Sequence, residues 1–302
     1  MWVLEQQHTS VLLKESLSLL AIREDGLYLD VTGGGGGHSE ALLNQLGVKG
    51  RLIIADCDEV TVDRLKEKFL GEKRCEVIRS RFSEIASMLA NRKITSVDGI
   101  IADLGVSSLE LDDAARGLSF LREGPLDMRL DHRLEVTAAD LLETSTEKEL
   151  ADFFYFFGEE RFSRRMARAV VADRTSKKFS TTLDLAGLAE RVLGSAYRRS
   201  RQSRQKIHPA TRIFQALRIA VNHEMVELES LLALIPKIVA PQGRAAIISF
   251  HSLEDRLVKR SFVSLKAEGW NVLTKKPLVP TEEEMTKNPR SRSAKLRGIE
   301  RN

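Results

Sequence analysis

Four short apolar runs open the chain: LYLDV (Leu27–Val31), RLIIAD (Arg51–Asp56), CEVIRS (Cys75–Ser80) and DGIIADLG (Asp98–Gly105). Between the second and third, EVTVDRLKEKF (Glu59–Phe69) carries its charges at helical spacing. Strand–helix alternation at this pitch predicts a parallel, doubly wound α/β sheet. From Leu109 to His208 the pattern holds only helical runs, such as TAADLLE and EKELADFFYFF. It then predicts one long helix over Pro209–Ile235, with Phe214, Leu217, Val221, Met225, Leu228 and Leu232 on one face and Pro209 in the first turn. A turn at PQG (Pro241–Gly243) should lead into a further buried strand, RAAIISF (Arg244–Phe250). The expected organisation is one α/β core over residues 1–108 and 209–302, interrupted by a helical domain over residues 109–208.

Composition narrows the class. A chain of 302 residues, 42% hydrophobic, can bury one large core or a core plus a smaller domain. Its net charge of +4 is a mild surplus, so the placement of the cations matters more than their sum. Cys57 and Cys75 have neither metal-ligand spacing nor the density of a disulfide framework, which fits a reduced, cytoplasmic compartment. The segment MWVLEQQHTS lacks the basic-then-apolar order of a signal peptide, and no apolar run approaches the roughly 20 residues that span a bilayer. The six histidines show no ligand spacing, and no metal is expected.

The stretch DVTGGGGGHSEALL (Asp30–Leu43) links a predicted strand to a predicted helix through five glycines. Such a turn lets a ligand approach the backbone at the helix start. A P-loop needs Lys and then Ser or Thr after the last glycine, whereas His38 and Ser39 follow here. The dinucleotide fingerprint begun at Gly33 would need a glycine at His38. S-adenosylmethionine is the third ligand that uses this kind of turn. Asp56 ends the second strand 19 positions after Gly37, close to the roughly 20 expected of an acid that accepts ribose hydroxyls. A carboxylate there disfavours NADP more firmly than NAD.

The chain's motifs, in order, resemble the RsmH family, formerly called MraW. They are HTSVLLKE, DVTGGGGGHS, ADLGVSS, LDDAARGLSF, GPLDMRLD, HPATRIFQALRIAVN, ISFHSLEDRLVK and NPRSRSAKLR, running from His8 to Arg297. Members are bacterial methyltransferases that modify N4 of a cytosine in 16S ribosomal RNA. The resemblance implies a class I S-adenosylmethionine-dependent methyltransferase fold with a Rossmann-like sheet and an inserted helical domain. It also implies that Gly36, Gly37 and His38 contact the cofactor, that Asp56 takes the ribose, and that Phe82 and Asp103 complete the pocket. Where the family usually reads DLGVSSPQLD, this chain reads DLGVSSLELD. Glu110 therefore occupies the cofactor-contact position of a Gln without that residue's amide donors.

Cytosine N4 is a poor nucleophile because its lone pair is delocalised into the ring. An enzyme must align it with the methyl and accept its proton, or a hydrogen bond from it, as positive charge develops. Asp103, at the end of a strand, is the first candidate acceptor; Asp127 and Asp131 in GPLDMRLD are the second. Arg129 between them could orient them or hold a phosphate. His251, with Ser252, follows the last identifiable strand and could frame the cytosine edge. Candidate phosphate contacts are Arg164 and Arg165 in one basic run, Arg198, Arg199, Arg201 and Arg204 in another, and Arg290, Arg292 and Lys295 in the tail. The resemblance implies 16S ribosomal RNA, within the small ribosomal subunit, as the substrate. An NAD-linked oxidoreductase shares the glycine turn and Asp56 but leaves the basic runs without a use. A non-catalytic RNA-binding factor leaves Asp56 and Asp103 without one.

Overall fold

The computed structural model describes residues 10–199 and 208–302. Arg201 and Arg204, two of the expected phosphate contacts, lie outside the described residues, as does the side chain of Arg199. The chain divides into two compact units, one formed by Met1–Ser107 with Met225–Asn302 and the other by Ser108–Glu224.

The first unit begins with α1 (Leu13–Leu20), β1 (Leu27–Asp30), α2 (Gly37–Leu43), β2 (Arg51–Asp56) and α3 (Glu59–Lys68). It continues through β3 (Cys75–Arg79), a 3-10 turn at Phe82–Glu84, α4 (Ile85–Asn91) and β4 (Val97–Asp103). In the second unit come α5 (Ser108–Asp112), α6 (Ala138–Thr144), α7 (Glu147–Phe156), α8 (Ser163–Arg174), α9 (Thr182–Arg199) and α10 (Pro209–Asn222). α11 (Glu224–Ile238) leads back into the first unit, followed by β5 (Val239–Ser249), α12 (Ser252–Lys266), β6 (Trp270–Val272), α13 (Glu282–Lys287), a 3-10 turn at Pro289–Ser293, and β7 (Lys295–Arg301).

The seven strands form one sheet in the order β3-β2-β1-β4-β5-β7-β6. β1 to β5 are parallel neighbours, and β7 runs antiparallel between β5 and β6. This is the class I methyltransferase sheet that the resemblance implies. Strand residues alternate between its two faces, as the period of two requires. Leu29, Ile53 and Ile100 pack with α4, α11 and α12 through Ile85, Leu89, Leu228, Ile235, Val258 and Phe262. Tyr28, Leu52, Ile54 and Ile101 pack with α1, α2 and α3 through Leu20, Leu42, Leu43 and Leu65. The strand order reverses direction at β1 and β4, and the crevice beyond their carboxyl ends is where an open α/β sheet holds its ligand.

Four expectations change. The long helix over Pro209–Ile235 is two helices, because His223 adopts a left-handed conformation (φ 53°) and ends α10. α10 buries Ile213, Phe214, Ala216 and Leu217, packing on α7 and α9, so the second unit extends to Glu224 rather than ending at His208. Pro241–Gly243 is not a turn before a strand. It is a bulge inside β5, where the pairing with β4 shifts between Val97 and Gly99 and Gln242 has φ 61°. Finally, the basic tail ends in the buried strand β7, with Leu296, Arg297, Gly298 and Ile299 all buried.

Candidate active site

The glycine turn leaves the carboxyl end of β1. Gly36 caps α2 with φ 76°, a conformation natural to glycine. At Gly37 an added Cβ would collide with the Ser10 hydroxyl. A side chain at Gly36 would be strained by its backbone conformation, and one at Gly37 would displace the Ser10 hydroxyl. Asp56, at the end of β2, holds the turn in shape. Its Oδ2 accepts from the Gly34 amide at 2.9 Å, and its Oδ1 from the Asp58 amide at 3.0 Å. Each carboxylate oxygen has a second lone pair, which leaves acceptor capacity for a ribose hydroxyl.

Asp103 ends β4 beside this turn, its amide donating to Thr32 Oγ1 at 2.6 Å. The side chain as a whole is 23% exposed, but Oδ1 is fully enclosed and has no hydrogen-bond partner among the described residues. Desolvation first, then the neighbouring carboxylates of Asp30 and Glu254, push its pKa well above the ordinary carboxylate range. Asp103 Oδ2 lies 3.7 Å from Nδ1 of His38, a buried residue of the first turn of α2. The other ring nitrogen, Nε2, donates to the Val11 carbonyl at 3.1 Å.

Asp30 was not singled out by sequence reasoning, although it opens the motif that carries the glycines. It is fully buried at the end of β1 and accepts from Ser39 Oγ at 2.5 Å and from the Thr32 amide at 3.1 Å. Burial raises its pKa to about 6 against the lowering by these hydrogen bonds. Two carboxyls under one turn, both shifted upward, form the electrostatic centre of the first unit.

His251 caps α12. Its Nδ1 accepts from the Glu254 amide at 3.4 Å, while buried Glu254 accepts from the Phe250 and His251 amides at 2.8 Å and 3.2 Å. Its Nε2 is 3.1 Å from Glu254 Oε1 but outside hydrogen-bond geometry. The visible job of His251 is thus to start a helix. Phe82 opens the 3-10 turn after β3 and packs, half-buried, against the core cluster.

Glu110, Asp127, Arg129 and Asp131 belong to the second unit. Glu110 is half-buried on the short α5. Asp127 is gripped by Arg129 through Nε and Nη2, both at 2.8 Å, and Arg129 Nη1 donates to the Leu134 carbonyl at 2.8 Å. Burial would raise the Asp127 pKa, but the Arg129 hydrogen bonds hold it below the ordinary range. Buried Asp131 is held the same way by Arg133, with Nε at 2.9 Å and Nη2 at 2.7 Å. These acids sit in bidentate clamps.

Of the expected phosphate contacts, Arg164 and Arg165 are exposed on α8. Arg198 is exposed and pairs with Glu190 at 2.6 Å. Arg290 and Arg292 are exposed in the 3-10 turn before β7, while Lys295 is bonded to Asp255 at 3.2 Å. In the aromatic run of α7, Phe154 is buried, whereas Tyr155 and Phe156 are exposed. No helix among the described residues is long and apolar enough to cross a membrane.

Comparison with known proteins places the chain in a family. The chain is 46% identical over 306 residues to the ribosomal RNA small subunit methyltransferase H of Koribacter versatilis, covering 97% of this chain and 94% of that protein. It is 46% identical over 298 residues to the protein of the same name from Sorangium cellulosum, covering 98% and 91%. The family model for the MraW methylases matches residues 5–302. With the glycine turn, Asp56 and Asp103 gathered at the reversal point of a seven-stranded sheet, the chain belongs to the MraW methylase family.

Proposed function

We propose that the chain is an RNA methyltransferase that moves a methyl group from S-adenosylmethionine to N4 of a cytosine in the decoding region of 16S ribosomal RNA. It would work in the cytoplasm, on RNA held in the small ribosomal subunit. Family membership supports the reaction class. The single observation that carries the site is Asp103, whose enclosed Oδ1 has no partner at the carboxyl end of β4. A buried, unsatisfied acceptor is costly unless a donor arrives, and both an ammonium group and an amine are donors.

The residues present fit the cofactor. Gly36 and Gly37 would give a floor without side chains, Asp56 would accept hydrogen bonds from the cofactor's hydroxyls, Phe82 would offer an aromatic face, and His38 lies 3.7 Å from Asp103. When bound, S-adenosylmethionine supplies an electrophilic methyl. Asp103 then accepts the hydrogen bond of the cytosine amine, and its proton as positive charge develops at N4. Desolvation holds its carboxyl above the ordinary range, which makes its ionised form a stronger acceptor. Asp127, whose pKa the Arg129 hydrogen bonds lower, is a weaker base, and it and Asp131, both held by arginines, serve to shape the second unit. Arg164, Arg165 and Arg198 meet phosphate.

Incubating the purified chain with S-adenosylmethionine and small subunits lacking the modification, then digesting the RNA to nucleosides for mass spectrometry, tests this reading. N4-methylcytidine is the expected product. Methylation at another atom, or none on either the subunit or free 16S RNA, contradicts it.

A further inference from the structure

Arg256, Lys259 and Arg260 share the exposed side of α12. They stand three and four residues apart, the spacing at which side chains are neighbours on a helix. Lys266, also exposed, extends the row to roughly 15 Å at 1.5 Å per residue. No acid of α12 shares that side. Glu254 is buried, and Asp255 is taken by Lys295 at 3.2 Å and Arg297 at 2.7 Å.

An ordinary solvated helix face mixes its signs. α3 does so, with Glu59, Asp63, Lys66, Glu67 and Lys68 all carried on one short helix and Lys66 paired to Asp63 at 3.2 Å. The face of α12 is of one sign, and Lys259 and Arg260 have no ion pair among the described residues.

Its place in the fold gives the charge a direction. α12 starts just beyond β5, whose Ile248 is in register with Asp103 on β4. The bonds of Asp255 to Lys295 and Arg297 fix β7 against the first turns of α12. A protein partner would call for a buried aromatic or aliphatic anchor, and the only large apolar side chain exposed on α12 is Val263. Long cationic side chains without an apolar anchor match a phosphate backbone.

We propose that Arg256, Lys259 and Arg260 form a track for the RNA phosphate backbone on the helix that follows β5, so that the first unit grips the substrate strand. The track rests on the RNA methyltransferase reading. It adds a contact surface distinct from the helical insertion.

The test compares the parent chain, the double variant Lys259→Gln/Arg260→Gln, and the charge-preserving swap Lys259→Arg/Arg260→Lys. Binding is measured to a 16S RNA fragment containing the target cytosine, across a series of salt concentrations, together with S-adenosylmethionine affinity. The Gln variant should bind RNA more weakly, with a log–log salt slope shallower by roughly 0.7 for each single-strand phosphate it no longer neutralises. Its cofactor affinity should match the parent, and the swap should keep the parent's slope. A Gln variant with the parent's RNA affinity and slope overturns the track. So does unchanged binding to naked RNA with weakened binding to assembled subunits, which would give this face to an acidic protein. A parent chain without salt-dependent RNA binding would instead overturn the function from which the track follows.

Discussion

The two units hold their carboxylates in opposite ways. In the second, Asp127 and Asp131 each face an arginine two residues further along, and the guanidinium meets both oxygens. In the first, among the described residues, neither buried Asp30 nor partly exposed Asp103 has an arginine or lysine against it, and their pKa values rise. Both sets read alike in sequence, as acids inside motifs. Of these four acids, only Asp103 keeps an enclosed oxygen without a hydrogen-bond partner among the described residues. Structural acids are completed by the chain itself, whereas an acid kept for chemistry is completed by what binds.

Asp103→Asn should break this contrast most severely. The amide keeps the shape but removes the strong acceptor, so the methyl-transfer rate should fall by roughly 10²–10⁴, the range for a positioned general base. Cofactor affinity should change less than tenfold in calorimetry. A large loss of cofactor binding with the single-turnover rate intact would make Asp103 an anchor and return Asp127 and Asp131 to contention.

The pH dependence of stability should carry opposite signs in the two units. The Asp30 pKa is raised from 3.8 to about 6 in the folded state. Its favourable contribution is therefore complete below about pH 4 and lost as pH rises to about 6. Asp30→Asn should remove that decline, worth up to about 3 kcal/mol. Asp127, lowered by Arg129, contributes stability present above the unfolded carboxylate range and lost as pH falls below it. Asp127→Asn should flatten the acid side instead. Denaturant titrations across the pH range read both slopes, and equal signs for the two variants would refute the contrast.

Asp56→Ala should weaken S-adenosylmethionine binding by roughly 1.5–3 kcal/mol, the range for hydrogen bonds to a charged group. RNA affinity should be nearly unchanged. An unaltered cofactor affinity would leave Asp56 with only its structural role in shaping the glycine turn.

Arg164→Gln with Arg165→Gln should produce the smallest effect. The salt slope of RNA binding should become shallower by roughly 0.7 per single-strand phosphate left without its cation, and cofactor binding should stay the same. Equal slopes would mean that this side of α8 is only a solvated face.

The sheet's parallel half was legible because β1, β2 and β4 are mostly buried and read as nearly continuous apolar runs. The glycine turn and Asp56 were legible for a local reason, since strand, turn and helix are consecutive in sequence. β7 was not. KLRGIER reads as charged tail, and its place inside the sheet depends on Asp255, 42 residues from Arg297, to receive that buried cation. The break at His223 was hidden because apolar spacing continues across it, while one left-handed residue ends the helix. At the site, motif positions pointed to Asp103 but not to its state. The absence of a partner at Oδ1, and the carboxylates of Asp30 and Glu254 nearby, arise from three separate segments meeting. For Arg129 the sequence left two roles open, orienting the acids or holding a phosphate, and the clamp on Asp127 takes up the guanidinium.

Nucleoside mass spectrometry of 16S RNA from cells lacking this chain, complemented with either the parent or Asp103→Asn, tests the account most directly. N4-methylcytidine should vanish in the deletion strain, return with the parent and stay absent or strongly reduced with Asp103→Asn. Its persistence in the deletion strain, or full restoration by the variant, would contradict the account.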